Sequence, residues 1–107
     1  LLATEIAVES VDLCLARVKK ACDEHGAILV VTADHGNADQ MLEKNKKGAV
    51  VVRTAHSLNP VPFIVYDKDA RHELKAEGHF GLANVAATVA DLLEIKPFDC
   101  WEESMIR

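Results

Sequence analysis

The sequence predicts an α/β fold in which a small, mainly parallel sheet is flanked by helices. Two amphipathic helical patterns, at residues 4–22 and 82–93, stand on either side of three β-rich runs. The first of these runs, residues 28–32, is apolar without alternation, which is typical of a strand covered on both faces. A length of 107 residues, half of them apolar, suits one small globular domain.

The two helices are predicted from the spacing of their apolar residues. Within residues 4–22 these residues recur every three or four positions, and charged side chains fill the opposite face. His25 and Gly26 are expected to end this helix, because glycine readily adopts the left-handed conformation that follows a helix. Residues 82–93 show a second helical face bounded by glycine and proline, and they predict the other helix.

The chain between these helices is expected to contain further short elements. Residues 38–46 have the composition of a short helix, and residues 49–54 are β-rich and predict a second strand. Two prolines exclude a helix in the next segment, and residues 63–66 predict a third strand. Residues 67–80 are charged and aperiodic, so we expect mostly loop there.

Composition and charge exclude several classes of function. A net charge of -5 with scattered basic residues argues against a nucleic-acid-binding protein. Spanning a membrane takes about 20 apolar residues, and no run approaches that length. The cysteines Cys14, Cys22 and Cys100 are odd in number and form no C-x-x-C pair, so we expect core-filling thiols in a reducing compartment. Together these features predict a cytoplasmic protein.

The stretch from Thr32 to Ala38 carries the strongest chemical signal. Asp34 and His35 directly follow a predicted buried strand, at the end of the sheet where α/β proteins bind ligands. A carboxylate together with an imidazole suits zinc or manganese better than calcium. Adjacent side chains can serve one ion only if the turn at Gly36 rotates them together. The alternative is structural: Asp34 caps a helix from Ala38, and His35 bonds to the backbone.

His56 is the second candidate ligand. It closes the β-rich run at 49–54 and lies at the same sheet edge as His35 if their strands are neighbours, although a purely structural role also fits. The nucleophile is missing from this pattern. Ser57 adjoins His56, but there is no G-x-S-x-G elbow and no glycine-rich phosphate loop.

Two motifs carry a resemblance to a known family. T-A-D-H-G-N-A at residues 32–38, with H-x-x-N-P-V-P at residues 56–62, resembles the carboxy-terminal end of the cofactor-independent (2,3-bisphosphoglycerate-independent) phosphoglycerate mutases. Residues 81–93 resemble the last long helix of that family. The resemblance implies the alkaline phosphatase superfamily, with residues 1–107 as the carboxy-terminal part of a three-layer, metal-binding phosphatase-like domain.

The resemblance also implies an activity and a set of metal ligands. The family interconverts 2-phosphoglycerate and 3-phosphoglycerate in glycolysis through a phosphoserine intermediate, with two divalent ions, usually manganese. By position, Asp34 and His35 resemble ligands of the ion beside the nucleophilic serine, and His56 resembles a ligand of the other ion. The serine, the remaining ligands and the substrate-binding residues are expected upstream of Leu1. We therefore expect a chain truncated from a longer protein and inactive alone.

Two alternatives stay open at this point. The parent protein is a mutase of this family or another phosphatase-like enzyme, such as a phosphatase, a sulfatase or a phosphopentomutase. The isolated chain is also compatible with a non-catalytic, self-associating piece, because apolar surface and free sheet edges favour association. Phosphoglycerates are the expected substrates, and neither nucleic acid nor a membrane is expected as a partner.

Overall fold

The computed structural model describes residues 1–53 and 55–107, and these divide into two compact units. Unit 1, Leu1–Tyr66, contains one long helix and four strands within the described part of the chain. Unit 2, Asp67–Arg107, contains a short helix and a carboxy-terminal tail. The α/β class is confirmed. The prediction that residues 1–107 are part of one larger domain stays a prediction.

Helix α1, Leu2–His25, confirms the first helical pattern and its predicted end. Gly26 adopts the left-handed conformation, with φ 65° and ψ 28°, and its N–H donates to the carbonyl of Cys22. His25 closes the last turn through a hydrogen bond of 2.9 Å from Nδ1 to the carbonyl of Ala21. In the parts of the chain that the structure describes, no helix is both long and apolar enough to cross a membrane.

The apolar face of α1 is far less covered than its periodicity suggests. None of its 24 residues, all of which the structure describes, is buried, and Val11 is 66% exposed. The reason is length: the helix extends about 36 Å, whereas a four-residue strand such as the first one spans about 13 Å. The prediction of core-filling thiols is wrong for Cys14 and Cys100, which are exposed, while Cys22 is half-buried.

Strands β1, Leu29–Thr32, and β4, Phe63–Tyr66, confirm two of the predicted strands but not their direction. They pair antiparallel, with Leu29 opposite Tyr66 and Thr32 opposite Phe63. Among the described strands both ladders are antiparallel, so the mainly parallel sheet expected from the sequence is not observed. Lack of alternation in a strand reports that both its faces are covered, and it says nothing of a neighbour's direction.

Strands β2, Leu42–Lys44, and β3, Val50–Val52, form an antiparallel hairpin. The short helix expected at residues 38–46 is therefore wrong, whereas the strand expected at 49–54 is confirmed for its described residues; Thr54 lies outside them. The hairpin is favoured over a helix because its loop contains residues suited to a tight turn. The Asn45 side chain accepts hydrogen bonds from two backbone N–H groups of the loop, and Gly48 adopts φ 78°.

Three side chains connect α1 to β4. The Tyr66 hydroxyl donates to Asp23 Oδ1 at 2.7 Å, and Lys19 Nζ lies 3.2 Å from Asp23 Oδ2. The same ammonium lies 4.6 Å from the centre of the Tyr66 ring, within the range of a cation–π interaction. Polar contacts thus orient the end of the helix on the sheet.

Unit 2 holds the buried apolar side chains found among the described residues. A 3₁₀ turn, Leu82–Asn84, leads into helix α2, Val85–Leu92, which confirms the second helical pattern. The fully buried Thr88 hydroxyl donates to the carbonyl of Asn84 at 2.8 Å and accepts from the Met105 N–H at 2.9 Å. This hydroxyl ties the helix to the tail. The preceding segment, 67–80, is mostly loop, as predicted.

Candidate metal centre

The loop that follows β1 is held against residue 57 by paired backbone hydrogen bonds. Gly36 N–H donates to the Ser57 carbonyl at 3.2 Å, and Ser57 N–H donates to the Gly36 carbonyl at 2.7 Å. The approach requires glycine, because a Cβ at position 36 would overlap the Ser57 hydroxyl and lie 2.5 Å from Asp39 Oδ1. Each residue of this pair adjoins a candidate ligand, His35 on one side and His56 on the other.

The imidazole rings of His35 and His56 stack face to face. Their centres are 3.6 Å apart and their planes differ by 5°. An imidazole nitrogen binds a metal along a lone pair in the ring plane, and an ion midway between the rings would lie about 50–60° out of both planes at a bond length of about 2.1 Å. The stacked pair therefore suits two neighbouring ions better than one shared ion.

The Asp34 carboxylate lies close to one of the two ring nitrogens of His35. Nδ1 of His35 is 3.0 Å from the Gly36 carbonyl, which can only accept, so Nδ1 carries the proton and Nε2 has the free lone pair. Nε2 is 3.5 Å from Asp34 Oδ1. Two donor atoms bound to one tetrahedral ion at about 2.1 Å lie about 3.4 Å apart, so this pair fits a single cation.

The structure brings together all three ligand candidates predicted from the sequence. No group of three His, Cys, Asp or Glu side chains poised to hold one ion is found in residues 1–53 and 55–107. The donor set fits a pair of ligands on one ion and a single ligand on its neighbour, and the assignment itself stays a prediction. Of the structural alternatives, the Asp34 helix cap is wrong, since no helix begins at Ala38, while the backbone bond of His35 is present.

Three polar residues form a cluster beside the histidines, and the sequence pattern pointed to only one of them, Ser57, as a nucleophile without its motif. Ser57 is only 2% exposed, and its hydroxyl donates one bifurcated hydrogen bond to the two carboxylate oxygens of Asp39, at 3.1 and 2.9 Å. The Asn59 side chain donates to Asp39 Oδ2 at 2.7 Å. The hydrogen bonds from Asn59 and then Ser57 hold the pKa of the Asp39 carboxyl below its ordinary value. We call Asp39, Ser57 and Asn59 the Asp39 cluster.

Arg53 holds the His56 segment from the other direction. Its Nη2 donates to the His56 carbonyl at 3.1 Å, and its Nη1 pairs with Glu43 of the hairpin at 2.8 Å. Nε of Arg53 is buried and has no hydrogen-bond partner among the described residues. The β2–β3 hairpin is therefore connected through Arg53 to the backbone of His56.

Comparisons with known proteins find relatives that match nearly the whole chain. The chain is 38% identical over 115 residues to a probable 2,3-bisphosphoglycerate-independent phosphoglycerate mutase of Leptospira interrogans, covering 99% of this chain and 21% of the relative. It is 40% identical over 93 residues to the 2,3-bisphosphoglycerate-independent phosphoglycerate mutase of Antithamnion sp., covering 87% of this chain and 18% of the relative. The chain thus spans about a fifth of the length of the curated relatives it matches.

A solved structure and a family model extend the comparison. A crystal structure of Leishmania mexicana phosphoglycerate mutase at low cobalt concentration matches with a TM-score of 0.81 and 37% identity, over 94% of this chain and 20% of that one. The resemblance to the cofactor-independent phosphoglycerate mutases is confirmed by these relatives. The model of the metalloenzyme superfamily matches residues 2–97. The chain therefore belongs to the metalloenzyme superfamily.

Proposed function

We propose that this chain contributes part of the two-metal site of a phosphoglycerate mutase, which interconverts 2-phosphoglycerate and 3-phosphoglycerate through a phosphoserine intermediate. Asp34 and His35 hold one divalent ion, and His56 holds its neighbour. The observation that carries the proposal is the face-to-face stacking of the two imidazoles beside the Asp34 carboxylate. The similarity to phosphoglycerate mutases over nearly the whole chain supports the choice of substrate.

The roles of the residues follow from their donor atoms. Two divalent ions, when bound, stabilise the attacking and the leaving oxygens of a phosphoryl transfer. His35 presents Nε2 because its Nδ1 proton is held by the Gly36 carbonyl. Ser57 is not the nucleophile in this proposal, since its buried hydroxyl already donates to Asp39. The nucleophilic serine and the remaining ligands belong to residues outside 1–107, so the isolated chain is expected to show no turnover.

The finer properties belong to the same proposal. Manganese is the proposed ion: the mixed oxygen and nitrogen donor set suits zinc or manganese, and the family that the chain resembles usually uses manganese. Residues 1–107 are proposed to form part of a single phosphatase-like domain and to act in glycolysis in the cytoplasm. We further propose that the isolated chain self-associates through α1, where Ile6 and Leu13 are 55% and 69% exposed. Sedimentation at several concentrations tests this last point, and a strictly monomeric chain would contradict it.

A chimera tests the mutase function directly. Residues 1–107 replace the matched stretch of the Leptospira interrogans relative, and the product is assayed on 3-phosphoglycerate, on sugar phosphates and on sulfate esters. We expect turnover of 3-phosphoglycerate with two manganese ions bound. Turnover of only the other substrates would favour a different reaction of the superfamily.

Point variants of the chimera test the ligands. Asp34→Asn, His35→Ala and His56→Ala are each expected to abolish turnover and to lower the manganese content by about one ion. His25→Ala serves as the matched control, because His25 bonds to the carbonyl of Ala21 at the end of α1. Near-normal turnover with both ions retained in the His35 or His56 variant would reject the assignment.

A further inference from the structure

The Asp39 cluster links the two segments that carry the histidines. The Asp39 carboxylate accepts one bifurcated hydrogen bond from Ser57 Oγ, at 2.9 and 3.1 Å, and a second bond from Asn59 Nδ2 at 2.7 Å. Ser57 is 2% exposed, so its hydroxyl depends on this acceptor in place of water. The Asp39 carboxylate therefore fixes the buried Ser57 side chain. It also restrains the backbone at Ser57.

The position of Ser57 determines the positions of both imidazoles. Ser57 directly follows His56 in the chain, and its backbone exchanges hydrogen bonds of 2.7 and 3.2 Å with Gly36, which directly follows His35. A shift of Ser57 therefore moves the His56 ring relative to the His35 ring. The rings lie 3.6 Å apart and are nearly parallel, so a displacement that carries one ring with it changes the overlap of the two rings.

We infer that Asp39 is a positioning residue that acts through Ser57 to hold His56 in stacking distance of His35. The inference rests on the proposed metal site only for its consequence, since the stacking is a contact between the two histidine rings themselves. It assigns to Asp39 a role distinct from that of the three ligands. Residues that hydrogen-bond directly to a metal ligand typically change metal affinity by about 10- to 100-fold when they are mutated, and Asp39, which acts through Ser57, is expected at the lower end of that range.

The first experiment uses the metal-free chain of 107 residues. Ring-proton chemical shifts of the two histidines report stacking, because each ring lies in the ring current of the other. Asp39→Asn and Ser57→Ala are expected to shift both sets of signals toward unstacked values, and Asp39→Glu is expected to restore them in part. Asp12→Asn, the same chemical change at an exposed position of α1, is the matched control and should leave them unchanged.

The second experiment titrates Co²⁺ and Mn²⁺ into the same proteins. Asp39→Asn is expected to weaken binding at least tenfold, and the double variant with Ser57→Ala should be no weaker than Ser57→Ala alone, because Asp39 acts through Ser57. If the wild-type chain binds neither ion and the variants lose the stacking, the positioning role is still supported, because the remaining ligands of the proposed metal site belong to residues outside 1–107. Additive effects in the double variant would overturn the route through Ser57.

The two experiments also separate positioning from general stability. If Asp39→Asn lowers the midpoint of thermal unfolding but leaves the histidine signals and the ion affinity unchanged, the positioning role is overturned. If Asp39→Asn does not fold, Asn59→Ala replaces it, since this change removes only the Asn59 hydrogen bond and leaves that of Ser57. A smaller shift of the same histidine signals is then expected, and unchanged signals would overturn the inference.

Discussion

Replacement of Gly36 by alanine tests whether the two histidine segments are held as closely as the structure shows. The added Cβ would overlap the Ser57 hydroxyl and lie 2.5 Å from Asp39 Oδ1. The backbone of Gly36 itself does not require glycine, because its φ is not positive. Any loss of stability must therefore come from the clash and from the hydrogen bonds that the clash displaces.

The expected loss of unfolding free energy follows from two destabilising contributions and one stabilising contribution. Forcing one methyl group into a packed site costs about 1–3 kcal/mol. Loss of the hydrogen bond from the Ser57 hydroxyl to the Asp39 carboxylate adds about 1.5 kcal/mol. This value is the lower end of the range for hydrogen bonds to charged groups, and it applies because Asp39 is exposed. Alanine recovers about 0.4–1 kcal/mol by restricting the unfolded chain. The net loss is about 1.5–4 kcal/mol, which corresponds to about a 10- to 1,000-fold change in the unfolding equilibrium.

Urea unfolding followed by circular dichroism measures this loss, and hydrogen exchange at the Gly36 and Ser57 amides localises it. Gly81→Ala is the matched control, because a Cβ there meets no atom within 4 Å and its backbone is extended at φ −151°. We expect the control to change the free energy of unfolding by no more than about 0.5 kcal/mol. A Gly36→Ala variant as stable as wild type, with unchanged histidine signals, would refute the close approach.

Three further changes test other parts of the structure. Thr88→Val removes the acceptor of the buried Met105 N–H and should cost about 1–3 kcal/mol by thermal unfolding, whereas Thr88→Ser should cost less; equal losses would contradict the role of the hydroxyl. Tyr66→Phe removes the bond to Asp23 and should cost about 1 kcal/mol in urea unfolding, and no loss would show that α1 does not depend on it. The pKa of Asp39 is lowered from 3.8 in the folded state, so its stabilising contribution is present above that pH and is lost as the pH falls through the folded pKa. The difference in urea midpoint between wild type and Asp39→Asn should shrink below about pH 4, and a constant difference would contradict this.

The helices and three strands were predictable because their patterns are local. The apolar spacing of residues 4–22 and the glycine after His25 specify α1 and its end without reference to other segments. The β-branched runs at β1, β3 and β4 are equally plain. What these patterns do not contain is the direction of a neighbouring strand, which depends on contacts between residues about 30 positions apart.

The segment around Asp39 shows why the prediction of a helix at residues 38–46 failed. Local composition suggested a helix at 38–46, but a helix there would take Asp39 away from Ser57 and Asn59, which are 18 and 20 residues distant in sequence. The loop chemistry of Asn45 and Gly48 adds a second, local preference for the hairpin. Together, tertiary hydrogen bonds and turn chemistry outweigh a weak helical propensity.

In the candidate metal centre, the ligand residues could be predicted from the sequence, whereas their spacing could not. Unit 1 contains no buried large apolar side chain among its described residues, yet Ser57 beside the site is 2% exposed. Its most protected side chain is therefore polar, and its position follows from a carboxylate and a backbone bridge instead of a core. Residue type identifies His35 and His56 as candidate ligands, whereas the 3.6 Å between their rings depends on hydrogen bonds that hydrophobic periodicity does not detect.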